Sequence, residues 1–224
     1  MTFDRVFRSQ LHELLVWRRD VRRFRSDPLP GGTLERLIEL ACLAPSVGLS
    51  QPWRFVIVDD PGRRRAMLEE FKSCNADALK SYTGDLAARY AELKLAGMEE
   101  APGQMAVFAD PATGLGHGLG RRTMPETAEY SVVAAVSMMW LAARAEGIGM
   151  GWVSLFDPQK LGALLSMPAD AEPVAILCLG PVPEFPDRPS LELDGWALGR
   201  PLAEFVSENG WGKEPGVSSS QVAR

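Results

Sequence analysis

One apolar stripe constrains the fold of this chain more than any other feature. Between residues 124 and 146, apolar side chains recur at helical spacing, and Gly147 follows as a stop signal. A face this continuous belongs in a core or against a second subunit. Thr123 and Glu126 just before it have capping-box spacing, which predicts a helix start near residue 124. The stripe consists of Val132, Val133, Val136, Met139, Trp140 and Ala143.

Short apolar runs on both sides of this helix predict the strands of a sheet. The runs are Trp53–Val58, Met105–Ala109, Gly151–Leu155 and Val174–Leu179. Asp60-Pro61 and Asp157-Pro158 each place an N-cap before a proline that suits the first helical turn. Further helices are expected over residues 7–17, after Thr33 as a cap, and over roughly 76–98. The glycine-rich residues 110–122 lack an apolar period, which is typical of a binding loop or lid.

Length and composition favour one globular domain over residues 1–212, with a disordered tail over 213–224. A net charge of -5 argues against nucleic acid as a partner. No apolar run is long enough to span a bilayer, and the first residues lack the apolar core of a signal peptide. The three cysteines are scattered and the two histidines lack ligand spacing. We therefore expect no metal, no membrane association and a cytoplasmic location.

A cluster of arginines gives the first indication of a ligand. Residues 18–24 read Arg-Arg-Asp-Val-Arg-Arg-Phe, with four guanidinium groups around one carboxylate. One guanidinium group can donate two parallel hydrogen bonds to phosphate oxygens. The cluster, in an otherwise acidic chain, therefore favours a small anionic ligand. The alternative is a solvated basic turn between a helix and a strand.

Four segments in order resemble the nitroreductase family of flavoproteins. They are the arginine cluster, the loop from Ala44 to Trp53, the 124–146 helix with its Gly147-Ile148-Gly149 turn, and Gly199-Arg200-Pro201-Leu202. The resemblance covers about residues 10–206. It implies an α+β fold, a three-layer sandwich with a mostly antiparallel central sheet flanked by helices. It also implies a homodimer with FMN at the subunit interface and a C-terminal arm wrapping the partner.

Two departures from the family pattern narrow the expected reaction. Asp20 stands where the family has serine, and Ser50 stands where it has asparagine. Together with Gly151-Trp152-Val153-Ser154-Leu155-Phe156-Asp157, they resemble a branch that consumes its flavin. The resemblance implies O2-dependent fragmentation of reduced FMN to 5,6-dimethylbenzimidazole, the lower ligand of vitamin B12, and erythrose 4-phosphate. Reduced FMN is then a substrate and O2 a co-substrate, and a separate flavin reductase supplies the FMNH2.

The resemblance also implies roles for individual residues. Asp20 would be a catalytic acid or base near the ribityl chain, or alternatively the ion-pair partner of Arg18 or Arg22. Ser154 would be catalytic as a hydrogen-bond donor at the flavin edge, or alternatively a strand-end hydroxyl bonded to backbone. Arg200 would contact phosphate, or alternatively be a surface charge. The expected FMN contacts are Arg18, Arg19, Asp20, Val21, Arg22, Ser46, Ser50, Gln51, Leu155 and Arg200.

Two other functions stay open at this point. The first is an NAD(P)H-dependent FMN nitro- or quinone reductase, which needs no separate dinucleotide domain. The second is a flavin carrier or sensor, for which the chain has no output module. Asp20 favours flavin cleavage over the reductase.

Overall fold

The computed structural model describes residues 2–212 of the 224-residue chain. The chain divides into two compact units, Met1–Asp187 and a second unit that begins at Arg188. The tail expected over residues 213–224 lies outside the described residues.

The first unit is built on a four-stranded antiparallel sheet. Its strands are β1 (Trp53–Ile57), β2 (Gly103–Ala109), β3 (Gly149–Val153) and β4 (Glu172–Gly180). Their order is β1-β2-β4-β3, and every neighbouring pair is antiparallel. Every residue of β2 is buried, because helices cover both faces of this central strand and leave no place for polar alternation.

Seven α-helices accompany the sheet within the described residues. They are α1 (Arg5–Trp17), α2 (Thr33–Ala41), α3 (Pro61–Leu79), α4 (Gly84–Glu92), α5 (Thr127–Ala145), α6 (Pro158–Leu164) and, in the second unit, α7 (Ser190–Leu193). The two Asp-Pro signals are confirmed. Asp60 accepts a hydrogen bond from the Arg63 amide, and Asp157 accepts from the amides of Gln159 and Lys160.

The two faces of the sheet carry two separate cores. In β2, Met105 and Val107 join the core formed with α2 and α5, whereas Ala106 and Phe108 join the core formed with α3 and α6. This alternation follows from the two-residue period of a strand. The expected α+β sandwich with a mostly antiparallel sheet is confirmed.

Two expected helix starts and one expected helix are wrong. Thr33 is the first residue of α2 and not its cap, which is Gly32. The capping box at residues 123–126 does not form. The amides of Thr123 and Met124 instead donate to the Gly120 carbonyl, and α5 begins at Thr127. The helix expected over 76–98 is two helices, since α3 continues to Leu79 and α4 covers only Gly84–Glu92.

The apolar stripe of α5 is mostly covered within the same chain. Val132, Val136, Met139 and Ala143 are fully buried in the core against the sheet. Val133 keeps 40% of its surface exposed. Of the two expected places for the stripe, a core or a subunit interface, most of it therefore lies in the core of this chain. None of the described helices is long and apolar enough to cross a membrane.

Candidate functional site

The arginine cluster follows α1 and lies along the free edge of β3. Asp20 forms a parallel bridge with Met150, and the Val21 amide donates to the Met150 carbonyl at 3.0 Å. Gly151 permits this approach, because a Cβ there would lie 2.1 Å from the Val21 carbonyl oxygen. The local sequence Gly149-Met150-Gly151 therefore lets a polar segment dock directly against the sheet backbone.

The Asp20 carboxylate is held at both oxygens. Oδ1 accepts from the Trp152 amide at 3.0 Å, and Oδ2 accepts from Arg22 Nε at 2.9 Å. The side chains of Arg22 and Asp20 are 15% and 32% exposed, so the pair lies partly out of water. Of the two arginines expected as partners for Asp20, the structure selects Arg22. Each carboxylate oxygen keeps a second lone pair that can accept a further hydrogen bond.

Arg18 is a half-buried cation whose hydrogen-bond donors are available. Its guanidinium lies 5.0 Å from the centroid of the Trp140 ring. Among residues 2–212 it forms no ion pair and its side chain donates no hydrogen bond, whereas Arg22 also donates to the Lys94 carbonyl at 3.3 Å. A guanidinium in this state presents its forked donors to an anion.

Arg19 is turned toward backbone carbonyls. Its guanidinium donates to the carbonyls of Val16, Arg18 and Asp187, and lies 6.0 Å from the centroid of the Trp17 ring. Arg19 therefore supplies hydrogen bonds to carbonyls at the C-terminal end of α1 and links that end to the backbone at Asp187.

The loop from Ser46 to Gln51 has unusual backbone geometry. Leu49 and Gln51 have φ values of 56° and 43°, in the left-handed region that ordinary side chains avoid. The Ser46 hydroxyl stabilises the turn by accepting from the Gln51 amide at 3.1 Å. Ser50 is fully buried, and its hydroxyl has no hydrogen-bond partner in the part of the chain that the structure describes. Leu49 and Gln51, on either side of Ser50, are exposed.

The glycine-rich residues 110–122 pack against that loop. A Cβ on Gly116 would lie 2.1 Å from the Gly48 carbonyl oxygen, and one on Gly120 would lie 2.6 Å from Val47. Arg121 holds the segment together by donating to three of its own carbonyls, those of Pro111, Thr113 and Leu115. Two of the glycines therefore serve a close approach between loops.

Ser154 and Leu155 follow β3, which ends at Val153, one residue short of Ser154. The predicted strand Gly151–Leu155 is therefore shifted toward its N-terminus. Ser154 is exposed, and its hydroxyl forms no hydrogen bond within residues 2–212. The alternative expectation of a hydroxyl bonded to backbone is therefore wrong. Leu155 is half-buried at the core beneath α3 and α6.

Arg200 belongs to the second unit. Its guanidinium pairs with Glu204 one helical turn later, at 3.3 Å, and is largely exposed.

The sequence reasoning missed three residues that support this site. Trp140 and Arg144 donate from their side chains to the carbonyls of Arg19 and Trp17, and the Trp152 amide donates to Asp20. Trp140 belonged to the apolar stripe, and nothing in its spacing marked it as a contact of the arginine cluster.

Comparison with known proteins identifies the family. Residues 15–181 match the nitroreductase family. The chain belongs to the nitroreductase family. As a family member it is an oxidoreductase enzyme, as the four sequence segments predict.

Individual relatives are similar in sequence to this chain over nearly its whole length. It is 53% identical over 199 residues to a 5,6-dimethylbenzimidazole synthase of Rhodospirillum rubrum, covering 89% of this chain and 94% of that protein. It is 46% identical to a protein of the same name from Rhodobacter capsulatus, covering 88% and 95%. The predicted resemblance to proteins that form 5,6-dimethylbenzimidazole is confirmed at the level of these names. The structure of an iodotyrosine deiodinase bound to FMN and 3-iodo-L-tyrosine superposes with a TM-score of 0.62 at 25% identity, covering 79% of this chain and 94% of that one.

Proposed function

We propose that this chain is a 5,6-dimethylbenzimidazole synthase. In the proposed reaction, O2 oxidises reduced FMN, and the flavin fragments to 5,6-dimethylbenzimidazole, erythrose 4-phosphate and a remnant that carries the remaining carbon and nitrogen atoms of the pyrimidine ring. The observation that carries the proposal is the identity of 46–53% to two proteins of that name over 88–89% of the chain. The alternative is an NAD(P)H-dependent FMN reductase, in which the flavin is recycled.

The site described above suits FMN. Arg18 offers a half-buried guanidinium with free donors, which matches the phosphate of a flavin mononucleotide. Arg22 lies two residues beyond Asp20 and has donors beyond those used by Asp20 and Lys94. Arg200 stays a predicted phosphate contact on the resemblance alone.

The other proposed flavin contacts come from both sides of this cluster. Val21 and Arg19 would contribute from the segment along β3, and Leu155 from the turn after that strand. The loop from Ser46 to Gln51 would contribute Ser46, Ser50 and Gln51. Ser50 is fully buried, so its proposed contact with the flavin requires the loop from Ser46 to Gln51 to shift.

Asp20 is the proposed acid–base group. The Trp152 amide and Arg22 hold its carboxylate in one position, so a proton can be delivered or removed at a defined point beside the ribityl chain. In the alternative role, Asp20 only orients Arg22. The exposed Ser154 hydroxyl, two residues after Trp152, is proposed to donate a hydrogen bond at the flavin edge.

We further propose a homodimer that works with a separate flavin reductase in the cytoplasm. The support for the dimer is α1, which has no buried residue of its own although its face is apolar. Six of its seven large apolar side chains are at least 40% exposed, and Leu14 is half-buried. The six are Val6, Phe7, Leu11, Leu15, Val16 and Trp17. A surface of this kind marks an interface in a stable protein.

Aerobic turnover with FMN tests the proposed reaction. The protein is incubated with FMN, NADH and an unrelated flavin reductase, and the products are separated by chromatography. We expect 5,6-dimethylbenzimidazole to accumulate as FMN disappears, with no product when O2 is removed. We also expect the purified protein to be nearly colourless. Steady oxidation of NADPH with a nitroaromatic acceptor, without 5,6-dimethylbenzimidazole, would establish the reductase instead.

A further inference from the structure

Two side chains near the end of α5 donate hydrogen bonds to the backbone at the start of the arginine cluster. Trp140 Nε1 donates to the Arg19 carbonyl at 3.0 Å, and Arg144 Nε donates to the Trp17 carbonyl at 2.9 Å. These side chains are four residues apart and therefore project from the same face of the helix. Asp20 and Val21 are held separately at the edge of β3, so the backbone on both sides of Arg19 is fixed.

Trp140 also contacts the Arg18 side chain. The guanidinium lies 5.0 Å from the ring centroid, within the range of a cation–π interaction. The Trp152 ring lies 6.4 Å away at 19° to the Trp140 ring, and so extends the aromatic surface toward the strand that carries the Asp20 contact.

An aromatic ring differs from a carboxylate as a partner for this guanidinium. A carboxylate would neutralise the charge and occupy two donors, as Asp20 does for Arg22. A ring restricts the guanidinium while leaving its charge and N–H groups available. Within the described residues Arg18 has only the ring as a charge partner, which is the arrangement that anion binding requires.

We propose that Trp140 is a positioning residue that presents Arg18 to the flavin phosphate and thereby determines the preference for FMN over riboflavin. The inference rests on the proposed function only in taking the ligand to be FMN. The phosphate is the sole difference between the two flavins, so their affinity ratio isolates this contact. A general weakening of the fold lowers both affinities and leaves the ratio unchanged.

The experiment measures dissociation constants for oxidised FMN and riboflavin by quenching of flavin fluorescence, with no turnover. Trp140→Met removes the ring and fills most of its volume with a flexible chain. We expect it to lower the preference for FMN by about 3- to 10-fold. Trp140→Phe keeps a weaker aromatic face and should lower the preference by less. Trp211→Met is the matched control, because that ring is fully exposed and belongs to none of the proposed flavin contacts, and it should leave the preference unchanged.

A double-variant cycle completes the test. In an Arg18→Gln background, where FMN has already lost this contact, Trp140→Met and Trp140→Phe should cause no further change in the ratio. Equal losses of FMN and riboflavin affinity in the Trp140 variants would overturn the proposal, as would a parent protein that binds both flavins equally. If Trp140→Met does not fold, Trp140→Phe with Arg18→Gln decides by the same criterion. A parent that prefers FMN but forms no 5,6-dimethylbenzimidazole would refute the proposed reaction and leave this inference intact.

Discussion

At the scale of single residues, Asp20 offers the sharpest test of the proposed chemistry. Asp20→Asn keeps the shape and removes the titratable proton, and Asp20→Ser introduces the residue of the family pattern. We expect both variants to bind FMN and to lose 5,6-dimethylbenzimidazole formation by about 10²-fold or more, the usual scale for a lost general acid or base. Product is measured by chromatography and FMN affinity by fluorescence.

A second arginine–aspartate pair provides the control for this experiment. Arg25 Nε lies 2.8 Å from Asp27 Oδ2, with the same two-residue separation as the pair of Arg22 and Asp20, but the Arg25 and Asp27 side chains are 57% and 53% exposed. Asp27→Asn should leave product formation unchanged. Product formation at the parent rate in Asp20→Asn would show that Asp20 only orients Arg22.

At the scale of elements, the contact between the arginine segment and β3 depends on a missing side chain. Gly151→Ala would place Cβ 2.1 Å from the Val21 carbonyl oxygen, so the segment or the strand must move. We expect a loss of about 1–3 kcal/mol in the free energy of unfolding, together with weaker FMN binding. Denaturant unfolding and FMN titration measure the two effects.

Gly162 in α6 is the matched control for that substitution. A Cβ there meets no atom within 4 Å, and the residue lies inside a helix. Gly162→Ala should therefore stabilise the protein by up to about 1 kcal/mol and leave FMN affinity unchanged. If Gly151→Ala behaves like Gly162→Ala, the close approach at β3 does not constrain the site.

The ion pair between α2 and the end of α5 predicts a pH-dependent contribution to stability. Arg36 donates two hydrogen bonds to Glu146, and this contact lowers the pKa of Glu146 below its ordinary value of 4.5. A lowered pKa in the folded state means that the contribution is present above about pH 4.5 and is lost as the pH falls through the folded value. Arg36→Gln should lower Tm slightly at pH 7, and this difference should shrink as the pH falls through the folded pKa, which lies below 4.5.

Thermal unfolding across this pH range checks the prediction. Glu146→Gln removes the same contact from the other side, so the double variant should be no less stable at pH 7 than Arg36→Gln alone. A Tm difference between parent and Arg36→Gln that does not shrink as the pH is lowered would assign the effect to packing of the arginine stem.

At the scale of the whole molecule, the apolar surface of α1 predicts assembly. Light scattering at micromolar concentration should give a mass about twice the 24.5 kDa of one chain. Leu15→Glu would place a charge in the interface and should raise the dissociation constant of the dimer by at least about tenfold. Gln10→Glu, on the same helix at an exposed polar position, should leave the mass unchanged. A monomeric parent protein would contradict the proposed dimer.

The sequence by itself determined the features that depend on bonds between near neighbours. The aspartates before Pro61 and Pro158 cap helices because their side chains reach amides two or three residues on. The apolar runs of β2 and β4 predicted strands, since a buried strand has no need for polar alternation, and the structure places both at the centre of the sheet. The order of the motifs also indicated the family.

Only the tertiary structure decided which side chains the arginine cluster meets. Asp20 pairs with Arg22 and not with Arg18, because the Trp152 amide, 132 positions along the chain, fixes the direction of the carboxylate. Trp140 reaches Arg19 across 121 positions. The capping box failed for the same reason, since the turns on Gly120 set the chain direction before α5 begins. Contacts between distant segments depend on how strands and helices dock, and that docking is a property of the packed core that no local spacing encodes.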